Sequence, residues 1–139
     1  MNLDSVKQFL EDFEECVIAT VNERAKPEAA TVGLSCDDNF TFLIGTNKDT
    51  RKAANISQNN SVALVVGFSG PKTVQIEGVA EKVTRDTHQE RIELHLDTVS
   101  GARSFDGEPG QTYYMIKPTW LRFTDYTQED PIFETEDFS

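Results

Sequence analysis

Apolar residues recur at three- and four-residue steps at the start of the chain: Leu3, Val6, Phe9, Leu10 and Phe13, with Asp4, Glu11, Asp12 and Glu14 between them. That spacing predicts a short helix with one buried face, and Asn2 or Asp4 is placed to cap it. The pattern then changes. Residues 16–21, 28–36 and 40–46 are β-branched or apolar runs, separated by a turn over 22–26 and by Asp37, Asp38 and Asn39. Three strands with such short connections form an antiparallel meander.

A second helix is predicted over 49–58, with Ala53, Ala54 and Ile56 to pack and Asn59 and Asn60 to end it. A continuous apolar strand over 61–68 and a turn at Ser69, Gly70 and Pro71 lead into a long strand over 72–83. In that strand Val74 and Ile76 share a face, whereas Val79 and Val83 fall on the other parity. Gly78 stands at the slip and predicts a bulge or sharp bend, a device that closes barrels. Residues 85–96 read as a third helix along Ile92 and Leu96, 99–110 as a loop, and 113–124 as a last strand interrupted at Pro118. The fold class expected is therefore mainly β, a six-stranded antiparallel barrel with flanking helices in a single domain over 1–124. The remainder, 125–139, holds six carboxylates and no cation. It reads as a flexible or surface-lying tail, or as a flap folded over a neighbouring subunit through Pro131, Ile132 and Phe133.

Charge narrows the partners. Thirteen basic against twenty-four acidic residues leave a net charge of −11, which repels phosphate backbones and anionic lipid, so neither nucleic acid nor membrane is an expected partner. No basic segment followed by an apolar run opens the chain and no stretch is long enough to span a bilayer, so a cytoplasmic location is expected. Cys16 and Cys36 lack a CxxC partner; buried, reduced strand residues and a redox pair are the two readings.

Against this acidic background Lys48, Arg51 and Lys52 gather where a strand ending in Gly45 and Thr46 meets the second helix. A helix start offers unpaired N–H groups and partial positive charge, which suit a phosphate. Thr46 and Thr50 add hydroxyls, Arg51 and Lys52 add full charges, and bare Gly45 lets a flat ring approach the backbone. The spacing fits equally a solvated helix turn pairing with local carboxylates, although cations in a first turn oppose the helix dipole.

The segments FTFLIGTNKDTRKAANISQNNSVALVV, TVQIEGVAEKV and KPTWLRF together resemble the pyridoxamine 5′-phosphate oxidase-like flavoproteins, the FMN-binding split-barrel family. The resemblance implies a homodimeric split barrel with FMN at the subunit interface. It places Arg51 and Lys52 on the phosphate, with Thr50 helping, and Gly45 and Thr46 beside the flavin. Thr31, Val32, Gly33 and Ser35 would pass under the isoalloxazine edge. Thr73 and Gln75 would be reached from the partner, and Trp120 would either cover the flavin or sit in the core or dimer interface. The oxidase proper carries Arg and Lys where this chain has Ala30 and Ser35, and a C-terminal Arg-His segment where this chain is acidic. These departures argue against pyridoxamine phosphate oxidation and leave deazaflavin or haem, both bound by relatives, as alternatives to FMN.

If FMN is bound, the flavin carries the chemistry and no protein nucleophile is needed; no catalytic residue is assigned. His88 and His95, seven apart on one predicted helical face, read as solvent-facing rather than as metal ligands, and Ser100 and Ser104 lack a nucleophile motif. Three functions remain open: an FMN-dependent oxidoreductase of a small organic molecule using a nicotinamide donor, a non-catalytic flavin-binding or stress-response module, and a cofactor-free barrel for protein contacts.

Overall fold

The computed structural model describes residues 1–138. Helix α1 (Leu3–Leu10) is capped by Asn2, whose side chain accepts from Ser5 N, and it turns Val6 and Leu10 inward. Strands β1 (Glu15–Val21), β2 (Pro27–Cys36) and β3 (Phe42–Asn47) follow, then α2 (Arg51–Gln58), β4 (Ser61–Val66), β5 (Lys72–Val83), α3 (Arg85–Thr98), α4 (Ala102–Asp106), β6 (Gln111–Asp125) and β7 (Ile132–Asp137). The sheet order is β3-β2-β1-β4-β5-β6-β7, and a β3–β6 pairing closes the first six strands into an antiparallel barrel. The expected six-stranded barrel is present, with one strand more.

Local chemistry sets the boundaries. β3 starts two residues later than its apolar run because Phe40 turns the chain at φ 62°. β4 stops at Val66 because Gly67 adopts φ +82°, a left-handed conformation that glycine reaches without strain. At Gly78 the β5–β6 register slips, so that Glu77 faces Trp120 and Gly78 faces Pro118. The proline stands at the irregularity, where no ladder donor is needed, and the strand runs through it.

The long β6 shares out its second edge. Residues from Gln111 to Ile116 pair with β3, and residues from Trp120 to Asp125 pair with β7. The acidic segment read as a tail thus lies on the sheet as a strand, held by backbone pairing while Ile132 and Phe133 stay exposed.

Ile18, Leu34, Phe42, Ile44, Leu64, Ile76, Ile116 and Leu121 fill the barrel, closed at one end by α1. Leu43, on the opposite face of β3, packs with Val83, Ile92, Leu96 and Tyr113 under α3. Each of Ile92 and Leu96 contributes roughly 1.5–3 kcal/mol by burial. That second cluster fixes α3 over the β2–β3 junction. The segment read as a loop over 99–110 contains α4, tied to α3 by Arg85–Asp106 and by Arg103 to Glu93 and Asp97. Among the described residues no helix is long and apolar enough to cross a membrane.

Candidate functional site

The β2–β3 ladder has three pairs, Leu34–Ile44, Ser35–Leu43 and Cys36–Phe42, and then stops. Beyond it β2 stays with β1 and β3 stays with β6, so the sheet opens between Gly33 and Gly45. Leu34 N donates to Glu14 O at 2.8 Å. Backbone groups alternate between the two edges of a strand, so the N–H and C=O of Thr31 and Gly33 point away from β1, into the opening. The same alternation turns Gly45 toward it from β3.

A groove of about 830 Å³ occupies the opening. Thr31, Val32, Gly33, Gly45, Thr46 and Lys52 line it, so six of the twelve cofactor candidates come together there. A Cβ on Gly33 would lie 3.0 Å from Val99 Cγ1, and one on Gly45 would lie 3.0 Å from Gln111 Nε2 and 3.1 Å from the Tyr113 ring. Side chains at either position would crowd the cleft.

At the α2 end, Thr50 caps the helix: its Oγ1 accepts from Ala53 N and donates to Asn47 O at 2.8 Å, and it lies 3.1 Å from Thr46 Oγ1. Arg51 and Lys52 part company. Arg51 pairs with Glu28 at 3.2 Å, in an adjoining depression lined also by Ala30 and Thr50. Hydrogen bonds from Asn55 and Asn22, then the Arg51 charge, hold the Glu28 carboxyl below its usual range. Lys52 borders both that depression and the groove, its ammonium pKa lowered by burial. The ion-pair reading thus describes Arg51.

Ser35 is elsewhere engaged. It is 2% exposed, and its Oγ accepts from Arg91 Nη1 at 2.9 Å and lies 2.8 Å from His95 Nδ1. Arg91 Nη2 also donates to Ser35 O at 2.9 Å, and its Nε lies 3.4 Å from Asp37 Oδ2. A buried cation from α3 therefore reaches the strand position that carries no cation of its own. Thr73, Gln75 and Trp120 line none of the groove. Gln75 faces Arg122 and Glu77 faces Trp120 across β5–β6, with the Arg122 guanidinium 5.4 Å from the Trp120 ring centre.

His95 corrects the expectation of two solvent-facing histidines on one helical face. α3 kinks at His88 (φ −139°), which takes His88 out of line with His95, and His95 is buried against β2. Arg91 and His95 lie beside Ile92 and Leu96 at helical spacing, a signal that these polar residues belong to the inward face. The groove also receives Tyr113, whose hydroxyl donates to Asp106 at 2.6 Å. Burial, then that bond, raises the phenol's pKa. Cys16 and Cys36 are free thiols, each pushed up to about 12 chiefly by burial.

Residues 3–125 match the family model described as pyridoxamine 5′-phosphate oxidase. The pyridoxine/pyridoxamine 5′-phosphate oxidase of Vibrio cholerae serotype O1 is 37% identical over 76 residues, 54% of this chain and 36% of that enzyme. The similarity thus spans little more than a third of the enzyme's length. Among solved structures, a heme binding protein from Mycobacterium smegmatis superposes with a TM-score of 0.80 at 15% identity, covering 94% of this chain and 55% of that one. A pyridoxamine 5′-phosphate oxidase-related, FMN binding protein from Nostoc punctiforme superposes with a TM-score of 0.72 at 12% identity, covering 99% and 95%. At such identities the likeness shows a shared fold.

Proposed function

From this chain's membership of the pyridoxamine 5′-phosphate oxidase family, we propose that it is an FMN-binding flavoprotein that oxidises or reduces a small organic molecule, with a nicotinamide as electron donor. The observation that carries the reading is the opened β2–β3 ladder: free backbone groups of Thr31, Gly33 and Gly45 face a groove that two glycines keep clear of side chains. A flat ring with polar edges fits such walls, and the FMN phosphate fits the α2 end.

Lys52 and the first-turn amides of α2 would hold the phosphate, with Thr46 and Thr50 beside them. Arg51 would reach it on leaving Glu28, whose carboxylate keeps its hydrogen bonds from Asn22 and Asn55. The main chain of Thr31 and Gly33 would meet the ring's polar edge, with Phe13 and Phe105 also lining the groove. When bound, the flavin supplies the hydride or single-electron chemistry. The chain's own part is to orient it, shield it and steady the charge beside it. A second copy of the chain, bringing the face that carries Thr73, Gln75 and Trp120, would complete the site as a homodimer.

The test is the identity of the molecule released when purified protein is denatured. Mass spectrometry is expected to give FMN; a haem or deazaflavin mass overturns the reading in favour of that ligand, and release of none from FMN-supplied protein favours a cofactor-free barrel. Bleaching of the bound flavin by a nicotinamide donor separates a reductase from a storage or stress-response module. Replacing Arg51 and Lys52 together with Ala is expected to weaken FMN binding about tenfold or more, because charge-assisted phosphate contacts are lost. Equal affinity in a flavin-fluorescence titration rejects the placement.

A further inference from the structure

The groove's end under α3 carries chemistry that cofactor binding leaves unused. His95 lines the groove although it is only 2% exposed. Ser35 Oγ accepts from Arg91, which has donors only. The serine's own proton then has one acceptor within reach among the described residues, His95 Nδ1 at 2.8 Å. With Nδ1 accepting, the ring proton sits on Nε2. Nε2 has no partner among the described residues, and His95 is among the residues that line the groove. Burial and the nearby Arg91 charge hold the imidazole neutral, with its pKa down to about 4.

The surroundings add little positive charge. Lys52 is the one cation among the described residues lining the groove, and it belongs to the α2 end. Asp12, Glu14, Glu15 and Glu108 also line the groove. Arg91 directs Nη1 and Nη2 to Ser35 and Thr41, and its Nε lies 3.4 Å from Asp37 Oδ2. Val99, Ala102, Phe105 and Tyr113 also line the groove; Val99 N donates to His95 O at 2.9 Å, and the Tyr113 ring lies 6.0 Å from that of His95 at 71°.

We propose that the α3 end of the groove is a substrate subsite for an uncharged ring bearing a carbonyl-type acceptor, held by the fixed Nε2–H of His95, and that it rejects phosphate esters. A neutral single donor stabilises a carbonyl oxygen, but it cannot replace the water around a phosphate dianion, which the nearby carboxylates also repel. The inference rests on the flavin reading for its place as a substrate subsite, since the ring would lie beside the cofactor.

The test titrates 4-hydroxyacetophenone and 4-acetylphenyl phosphate, one ring with and without the ester, into the full chain by calorimetry, flavin-free and FMN-saturated. FMN affinity is measured separately. The ketone is expected to bind, the ester about tenfold more weakly or worse, and His95→Phe to lose about fivefold in ketone affinity, with His95→Gln recovering much of it through its amide donor. Long-range ¹⁵N spectra of the wild type are expected to show the Nε2–H tautomer and a shift of that proton on ketone addition in both forms. An ester binding as well as the ketone to the FMN-saturated protein, where the phosphate end is filled, an absent ketone shift, or an Nδ1–H tautomer overturns the inference. If His95→Phe does not fold, the wild-type spectra decide. Failure to bind FMN alongside a ketone-induced His95 shift sinks the flavin reading and leaves the carbonyl site standing.

Discussion

His95 shows how one residue couples the site to stability. Burial, then the Arg91 charge, disfavours its charged form and lowers its pKa from the ordinary 6.5 to about 4. The unfolded chain therefore holds more protons between those values. The stability that a neutral His95 contributes is complete above about pH 6.5 and drains away as pH falls toward 4, reaching a loss of roughly 1.5 kcal/mol by pH 5.5. Carboxylates held low, such as Glu28 and Asp106, drain in the same sense but only below their own unfolded range. Urea midpoints are expected to fall between pH 6.5 and 5.5 in the wild type and to stay nearly flat in His95→Gln; parallel curves would show that another group carries the loss. Ala25 offers the opposite case. It sits at φ 59° in the β1–β2 turn, where Asn22 Oδ1 accepts from Arg24 N and Lys26 N. Glycine there removes left-handed strain at some cost in chain entropy, so Ala25→Gly is expected to raise stability by about 0.5–1 kcal/mol, read as a higher melting temperature. Thr31 entered only through the family resemblance, whereas Gly45 and Lys52 were legible from the residues themselves, because a strand end meeting a helix's first turn is a local fact. Arg91 and His95 were not, since their burial depends on where α3 kinks and which strand it lies on.

At the scale of elements, the hydrophobic period placed six strands and three helices within a few residues of their positions, because each buries one face in a common core. The two elements it missed lack that signature. α4 spans five residues, and β7 joins β6 through backbone pairing with its side chains mostly exposed, so an acidic, polar stretch gave no sign of a strand. The register slip at Gly78 is present, but its extra residue, Thr119, lies on β6; β5 keeps one buried parity through Val74, Ile76 and Ala80 and leaves Val79 exposed, so the expected change of parity at Gly78 does not occur. There the structure is least tolerant: a Cβ on Gly78 would lie 2.6 Å from Lys117 O and 3.0 Å from Ile116 Cγ2, against backbone that the β3–β6 closure holds in place. Gly78→Ala is expected to cost about 2 kcal/mol or more. It should appear as a lower urea midpoint with unchanged slope, and a variant as stable as the wild type would mean that the bulge shifts freely.

For the whole molecule, charge sets the terms of self-association. Two copies bring together 2 × −11, or −22, net charges, so like-charge repulsion opposes a dimer and salt screens it. Attraction must come from a face rich in apolar and hydrogen-bonding surface. The outer side of β5–β6–β7 offers one, where Trp120 lies under the Arg122 guanidinium and Gln75 faces Arg122. Phe133 stands 53% exposed on the neighbouring strand. This face also carries Thr73, Gln75 and Trp120, three of the six candidates that line no part of the groove within one chain, so a partner using it would bring those three to the site. Sedimentation is expected to give a dimer at 150 mM salt, with a dissociation constant that rises several-fold as salt is lowered to about 20 mM, since screening weakens over the longer Debye length. Trp120→Asp adds a charge to the centre of that face and is expected to yield monomers whose FMN affinity falls with the lost partner. A chain that stays monomeric at every salt concentration yet binds FMN tightly would confine the whole site to one β2–β3 opening, and the outer face would then need another occupant.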